Sequence, residues 1–250
     1  MAVLSKKQRE IQAREGVILD EARKLLLKGG YHGLTMARVA EATCCSKGTV
    51  YQHFPNKEEI IVALAVRSVD KQRALVEQAA TFRGRPRERM IAVATATELF
   101  ALLHRDDARI FQIMNGEAIL QKASEGAIWR MRASANRTVS IMFGIVRDAV
   151  AQGDLPSASE GQARDVIFHF WLLGEAGKAS RTSWLPPSEM GIADPFASII
   201  RSTQYLGDGF GWRPLSTEWD YEETRRRVCR EVFPNEARQV YGGNVQVREA

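Results

Sequence analysis

Apolar residues recur at helical spacing along nearly the whole chain and no stretch alternates with strand period, so the pattern predicts an all-α protein of nine or ten helices. A first helix is expected over about Lys7 to Lys28, with Ile11, Ile18, Ala22, Leu25 and Leu26 on one stripe and Gly29 and Gly30 ending it. The stretch Gly33 to Lys57, GLTMARVAEATCCSKGTVYQHFPNK, then reads as two short helices around a tight turn, followed by a third helix start. Met36, Val39 and Ala40 fall on one face of the first. Ser46 is placed to cap the second, in which Val50 and Phe54 point inward at i, i+4. Its other face carries Lys47, Gly48, Tyr51 and Gln52, with Thr49 and His53 on the flanks. Pro55 stops this helix, and Asn56 can cap a long one running from Lys57 through Ile60, Ile61, Leu64, Val69, Leu75 and Val76 toward Ala80.

Further along, Pro86 suits the first turn of a helix ending near His104. A short helix is expected from Asp106 or Asp107 to Asn115 and Gly116. Glu117 to Gln152 keeps a helical pattern that Gly126 can interrupt and Gly153 closes. Two more apolar helices are expected over Ala163 to Ser180 and Glu189 to Leu206. Beyond them, GDGFGWRPLSTEWDYEE is rich in glycine and aromatics and reads as a docking loop, followed by a charged helix from Glu222 to Val232. Its G-x-G-x-G run follows no strand and lacks the spacing of a nucleotide loop.

Charge sharpens the picture. The net charge is +5, yet residues 1–57 hold ten Lys/Arg against five Asp/Glu, while the rest of the chain holds 25 of each. All the excess positive charge therefore sits with the helix-turn-helix pattern, as a surface facing phosphates requires. No 18-residue apolar run occurs and the N-terminus lacks the apolar core of a secretory signal, so a soluble, cytoplasmic protein is expected. Cys44 and Cys45 are adjacent and Cys229 is distant, which makes neither a disulfide framework nor a zinc spacing. The four histidines, at 32, 53, 104 and 169, show no i, i+3 or i, i+4 pairing. No metal site and no cofactor is expected. No nucleophile elbow, metal cluster or phosphate loop appears, so the sequence gives no support to an enzyme.

The segments GGYHGLTMARVAEA and SKGTVYQHFPNKEEI resemble the DNA-binding domain of the TetR family of transcriptional regulators, over roughly the first quarter of the chain. The resemblance implies a three-helix DNA-binding domain with a helix-turn-helix, plus a larger helical domain that binds ligand and dimerises. The corresponding domains are 1–57 and 58–207, with 208–250 as a C-terminal extension. The resemblance also implies that Thr35, Tyr51, His53 and Lys57 grip the DNA backbone while Lys47, Gly48, Thr49 and Gln52 lie nearest the bases. Arg38 can reach either, and Ser46 completes the set at the helix start. By side-chain chemistry, Lys47 can donate to guanine, Gln52 can pair two-pronged with adenine, and the Thr49 methyl can touch a thymine methyl. Alternatively, Tyr51 covers the core and Lys47 is a solvated lysine at a helix start. Cys44 stands where the resemblance places a turn glycine, which puts the backbone there in question.

For the larger domain, the resemblance implies homodimerisation and a small-molecule effector. Two recognition helices read a palindromic operator that one cannot. The dimer interface is expected at Phe168, Trp171, Leu172 and Ala176, in a segment that mixes bulky residues with small Gly174 and Gly177. An effector pocket is expected around Phe100, Leu103, Phe111, Met114, Trp129, Met142 and Phe143, with His104, Glu117, Arg130 and Asn136 as polar contacts. The function implied is a repressor of transcription released by its effector. The alternative is a helical DNA-binding regulator without effector, controlled by a protein partner or by cysteine redox state.

Overall fold

The computed structural model of the chain describes residues 5–114, 116–156 and 160–242. Residues 1–4, 115, 157–159 and 243–250 lie outside that description, including the predicted helix-ending Asn115 and the tail of the predicted C-terminal extension. The described residues form twelve α-helices and no strand: α1 (Lys6–Gly33), α2 (Met36–Ala42), α3 (Lys47–His53), α4 (Lys57–Ala79), α5 (Pro86–Leu103), α6 (Arg105–Met114), α7 (Glu117–Lys122), α8 (Glu125–Ala151), α9 (Glu160–Ser180), α10 (Pro195–Gly209), α11 (Tyr221–Glu231) and α12 (Pro234–Tyr241). The expected stretch from Glu117 to Gln152 is split before Gly126. The break falls at 123–124, where Ser124 Oγ accepts the Ala127 N–H at 3.2 Å and starts α8. The predicted helix starting at Glu189 begins instead at Pro195, behind an Asp194 cap that accepts from the Phe196 and Ala197 N–H groups.

The chain divides into two compact units. One takes the stretch up to Val69 together with Arg109–Ala133. Its core joins Ile18, Ala22 and Leu26 of α1 and Val39 of α2 to Val50 of α3, Ile60 and Ile61 of α4, Ile110 of α6 and Ile119 of α7. Ile11, expected on the buried stripe of α1, is exposed, because that stripe meets its partners only from Ile18 onward. Asn56 caps α4 by accepting the Glu59 N–H at 2.8 Å, and its amide donates to the Lys122 carbonyl at 3.3 Å. Glu59, itself buried, accepts the Ser124 N–H at 2.5 Å. Residues 109–133, expected in the second domain, are thus held by the start of α4 within the first unit.

The second unit takes Asp70–Ala108 and the stretch from Ser134 on. Its core gathers Met90, Ala96 and Leu99 of α5, Ile145 and Val146 of α8, Val166 and Phe170 of α9, and Trp212, Val228 and Phe233 from the C-terminal part. Residues 208–241, expected as an extension, are therefore part of this core. Polar groups lock them in. Arg87 donates to the carbonyls of Trp212, Pro214 and Gln204 and pairs with Asp208 at 2.8 Å. A Cβ on Gly207 would come within 2.8 Å of that guanidinium, so only glycine lets α10 approach it. Arg225 forms a two-pronged pair with Glu98, at 2.7 and 3.1 Å, with both side chains buried. Tyr241 donates to the same carboxylate at 2.8 Å. Burial pushes the Glu98 carboxyl above its usual range, with Arg225 pulling the other way.

Candidate functional site

The first unit presents the helix-turn-helix, and its local structure follows from side chains that close each helix end. Thr35 caps α2 by accepting the Arg38 N–H at 3.3 Å. The turn after α2 is closed by the Cys44 N–H donating to the Glu41 carbonyl at 3.1 Å and the Cys45 N–H to the Ala40 carbonyl at 2.9 Å. Cys44 takes φ +52°, the left-handed conformation that glycine favours at such a position. Ser46 caps α3 by accepting the Thr49 N–H at 3.0 Å, and its hydroxyl lies 2.9 Å from that of Thr49. Val50 and Phe54 are buried. The opposite face of α3 is thereby fixed outward, and Lys47, Gly48, Tyr51 and Gln52 are exposed on it.

The remaining expected contacts are distributed differently. Thr35 and Ser46 accept the cap N–H groups and the Thr49 hydroxyl pairs with that of Ser46, so the exposed Thr35 keeps its O–H proton for a phosphate and Thr49 offers its methyl group. Arg38 is exposed but spends one guanidinium nitrogen on the Gly33 carbonyl at 2.6 Å. His53 and Lys57, expected on the DNA backbone, are engaged inside the unit. His53 is largely covered, with Nδ1 3.5 Å from Glu15. The Lys57 ammonium donates to the Tyr31 carbonyl at 2.9 Å and lies 3.6 Å from the centre of the Tyr31 ring.

The second unit contains a cavity of about 50 Å³. Met90, Val93, Ala94 and Thr97 line it as one stripe of α5, facing Met142 of α8, Trp171 and Gly174 of α9, and Phe196 and Ile200 of α10. Gln72 and Glu175 stand at its wall. Of the expected effector contacts, only Met142 is among its lining residues. Phe143, the next residue along α8, is rotated out and exposed. Phe100 is buried against His104, with ring centres 5.2 Å apart, at the far end of α5, where Leu103 is half-buried. Phe111 and Met114 pack into the core of the first unit. Trp129, Arg130 and Asn136 are exposed, and the side chain of Glu117 lies outside the described residues. The sequence pattern marked bulky residues; the void is set by which stripe of α5 meets α9 and α10.

On α9, Phe168, Trp171, Leu172 and Ala176 are exposed, as a contact surface requires. The small residues beside them act within the unit instead. A Cβ on Gly177 would lie 2.7 Å from the Phe196 ring, and one on Gly174 would lie 3.5 Å from Thr97. Among the described residues no group of three or more His, Cys, Asp and Glu is placed to hold a metal, and no helix is long and apolar enough to cross a membrane.

Comparison with known proteins places this geometry. A profile described as "Bacterial regulatory proteins, tetR family" matches residues 18–64, the segment from the buried half of α1 to the first turns of α4. Residues 18–64 are thus similar to the tetR family. Among curated tetR-like relatives, the transcriptional repressor KstR of Mycolicibacterium smegmatis is 35% identical over 86 residues, which are 34% of this chain and 41% of KstR. The chain thus matches about two fifths of that relative's length. Among solved structures, the TetR-family regulator PfmR of Thermus thermophilus aligns with a TM-score of 0.57 at 19% identity, covering 85% of this chain and 98% of PfmR. AibR, solved in complex with isovaleryl coenzyme A and operator DNA, aligns with a TM-score of 0.55 at 21% identity, covering 79% of this chain and 98% of AibR. The fold of tetR-family regulators therefore extends over most of the chain, well past the matched segment.

Sequence reasoning missed the buried ions of the second unit. Arg87, Glu98 and Arg225 lie on helices whose charged residues read as solvated faces, and nothing local in their spacing marks them as interior. It also missed α12, a helix of eight residues with one buried side chain, Ala237; Pro234 at its first position was the available sign.

Proposed function

We propose that the chain is a sequence-specific DNA-binding regulator of transcription that acts as a homodimer in the cytoplasm, a repressor released by a small-molecule effector. The observation that carries this reading is α3: a capped helix with Val50 buried and Lys47, Gly48, Tyr51 and Gln52 exposed on its outer face. Such a face offers a cation, a close backbone approach, a phenol and a carboxamide to a groove, while the cap and Val50 hold the helix in place. The surplus of positive charge in residues 1–57 supplies attraction to phosphate. The DNA-contacting set is Lys47, Gly48, Tyr51 and Gln52, with Arg38, the Thr35 hydroxyl and the Thr49 methyl group beside it.

The effector reading is supported by the apolar cavity in the second unit and by AibR, a structural neighbour bound to both a ligand and operator DNA. An effector that binds better to a conformation unfit for DNA shifts the population toward it and lowers operator affinity by the same coupling energy. The cavity favours this over control by a partner protein. Selection of random duplex DNA on the purified full chain tests the reading. An enriched inverted repeat is expected; recovery of unenriched sequence at moderate salt would overturn it.

A further inference from the structure

We propose that the cavity of the second unit takes a short, uncharged molecule with an apolar body and one oxygen that accepts a hydrogen bond; this rests on the effector reading above. The body of the cavity is built from aliphatic, thioether and aromatic surface, among it Met90, Val93, Met142 and Phe196. Of its three threonines, two have already committed their protons, Thr97 donating to the Val93 carbonyl at 3.1 Å and Thr203 to the Ile200 carbonyl at 2.7 Å, while Thr138 of α8 adds one further hydroxyl to the lining. The Thr97 and Thr203 protons are thus spent on their own helices.

Polar recognition is concentrated at the wall where Gln72 of α4 meets α9. Lys178 donates to Gln72 Oε1 at 3.1 Å and pairs with Glu175 at 2.6 Å. An ammonium only donates, so the amide oxygen of Gln72 must face it and the NH₂ is left as the unspent donor of a residue lining the cavity. A ligand oxygen with a lone pair, as in a ketone or an ester, satisfies that donor. A carboxylate would meet the negative charge of Glu175, and an ammonium would meet Lys178. The pair is already balanced, so either ion would be desolvated without a counter-charge. Size points the same way. A space of about 50 Å³ is smaller than the ~150 Å³ that encloses benzene, so the occupant is slender, and one of benzene's size or above enters only as the walls move. Met90 and Met142 can yield to it through their flexible side chains.

Calorimetric titration of the full chain with methyl butanoate, butanoate and butylamine at neutral pH tests the proposal. The ester is expected to bind at least tenfold more tightly than either ion. Gln72→Leu should weaken the ester at least fivefold, and Gly174→Leu, whose side chain extends toward Thr97, should abolish binding. Equal binding of butanoate, ester binding unchanged in Gln72→Leu, or no binding of any probe would each overturn it. Should Gly174→Leu fail to fold, Gln72→Leu still decides. Duplex binding by the same preparations is measured in parallel: if it persists while no probe binds, the ligand class fails and DNA recognition stands, and the reverse result separates the two the other way.

Discussion

Two of the three thiols have surroundings that predict opposite behaviour. Cys44 is exposed at the turn before α3, whereas Cys229 is fully buried on α11. Burial pushes the Cys229 thiol up to about 11, so at pH 8 it stays protonated and unreactive. Alkylation followed by mass spectrometry should label Cys44 in minutes in the native protein and Cys229 only after denaturant is added. Equal rates for the two would contradict the burial of α11. Residue identity also explains what was readable. Thr35, Ser46 and Asn56 each accept the N–H three residues on, a local rule that the sequence carries in full. The positive φ at Cys44 has its sign in the sequence too, a cysteine standing at a glycine position. The engagement of His53 and Lys57 has none, because it depends on Glu15 and Tyr31 of α1, which only the packed unit brings near.

At the scale of elements, α5 is held on one side by the C-terminal helices through Glu98 and Arg225. Arg225→Ala leaves the Glu98 carboxylate buried without its counter-charge, at a cost of about 3–5 kcal/mol. Its pH dependence has a definite sign. Glu98 already sits above the ordinary carboxylate range because of burial, and loss of the arginine raises it further. The folded variant therefore holds a proton that the unfolded chain releases, and its stability falls as pH rises from the unfolded glutamate value through the raised folded one. Urea unfolding at pH 4 and pH 7 should show a smaller deficit at the lower pH; a deficit independent of pH would contradict this coupling. Such long-range pairs explain why elements were easier to read than their partners. Val39 with Ala40 and Val50 with Phe54 declare their buried faces by spacing alone, whereas Glu98 and Arg225 lie 127 residues apart.

At the scale of the whole molecule, the proposed homodimer needs a surface. Phe168 and Leu172 on α9 and Tyr205 on α10 are exposed apolar side chains, and Leu172 and Tyr205 line one shallow groove. Phe168→Asp with Leu172→Asp should convert a two-chain species into a single chain in sedimentation and weaken operator binding sharply, since one recognition helix reads only half of the repeat. A wild-type monomer, or a variant that still pairs, would contradict the assignment. The cavity was hidden from the sequence for a reason at this same scale. Met90, Val93, Ala94 and Thr97 form an ordinary apolar stripe, and what distinguishes a void from a core is the fit of α9 and α10 against it.

The central claim is that the outer face of α3 reads bases, and Gln52 tests it most directly. Once a binding sequence has been selected, the affinity of the wild-type chain and of Gln52→Ala is measured for every single-base-pair variant of it, at fixed salt. A loss of about 1–3 kcal/mol and relaxed discrimination at one base-pair position in each half-site are expected. A uniform change across all variants, with discrimination intact at every position, would show that Gln52 does not read sequence and that recognition lies elsewhere in the chain.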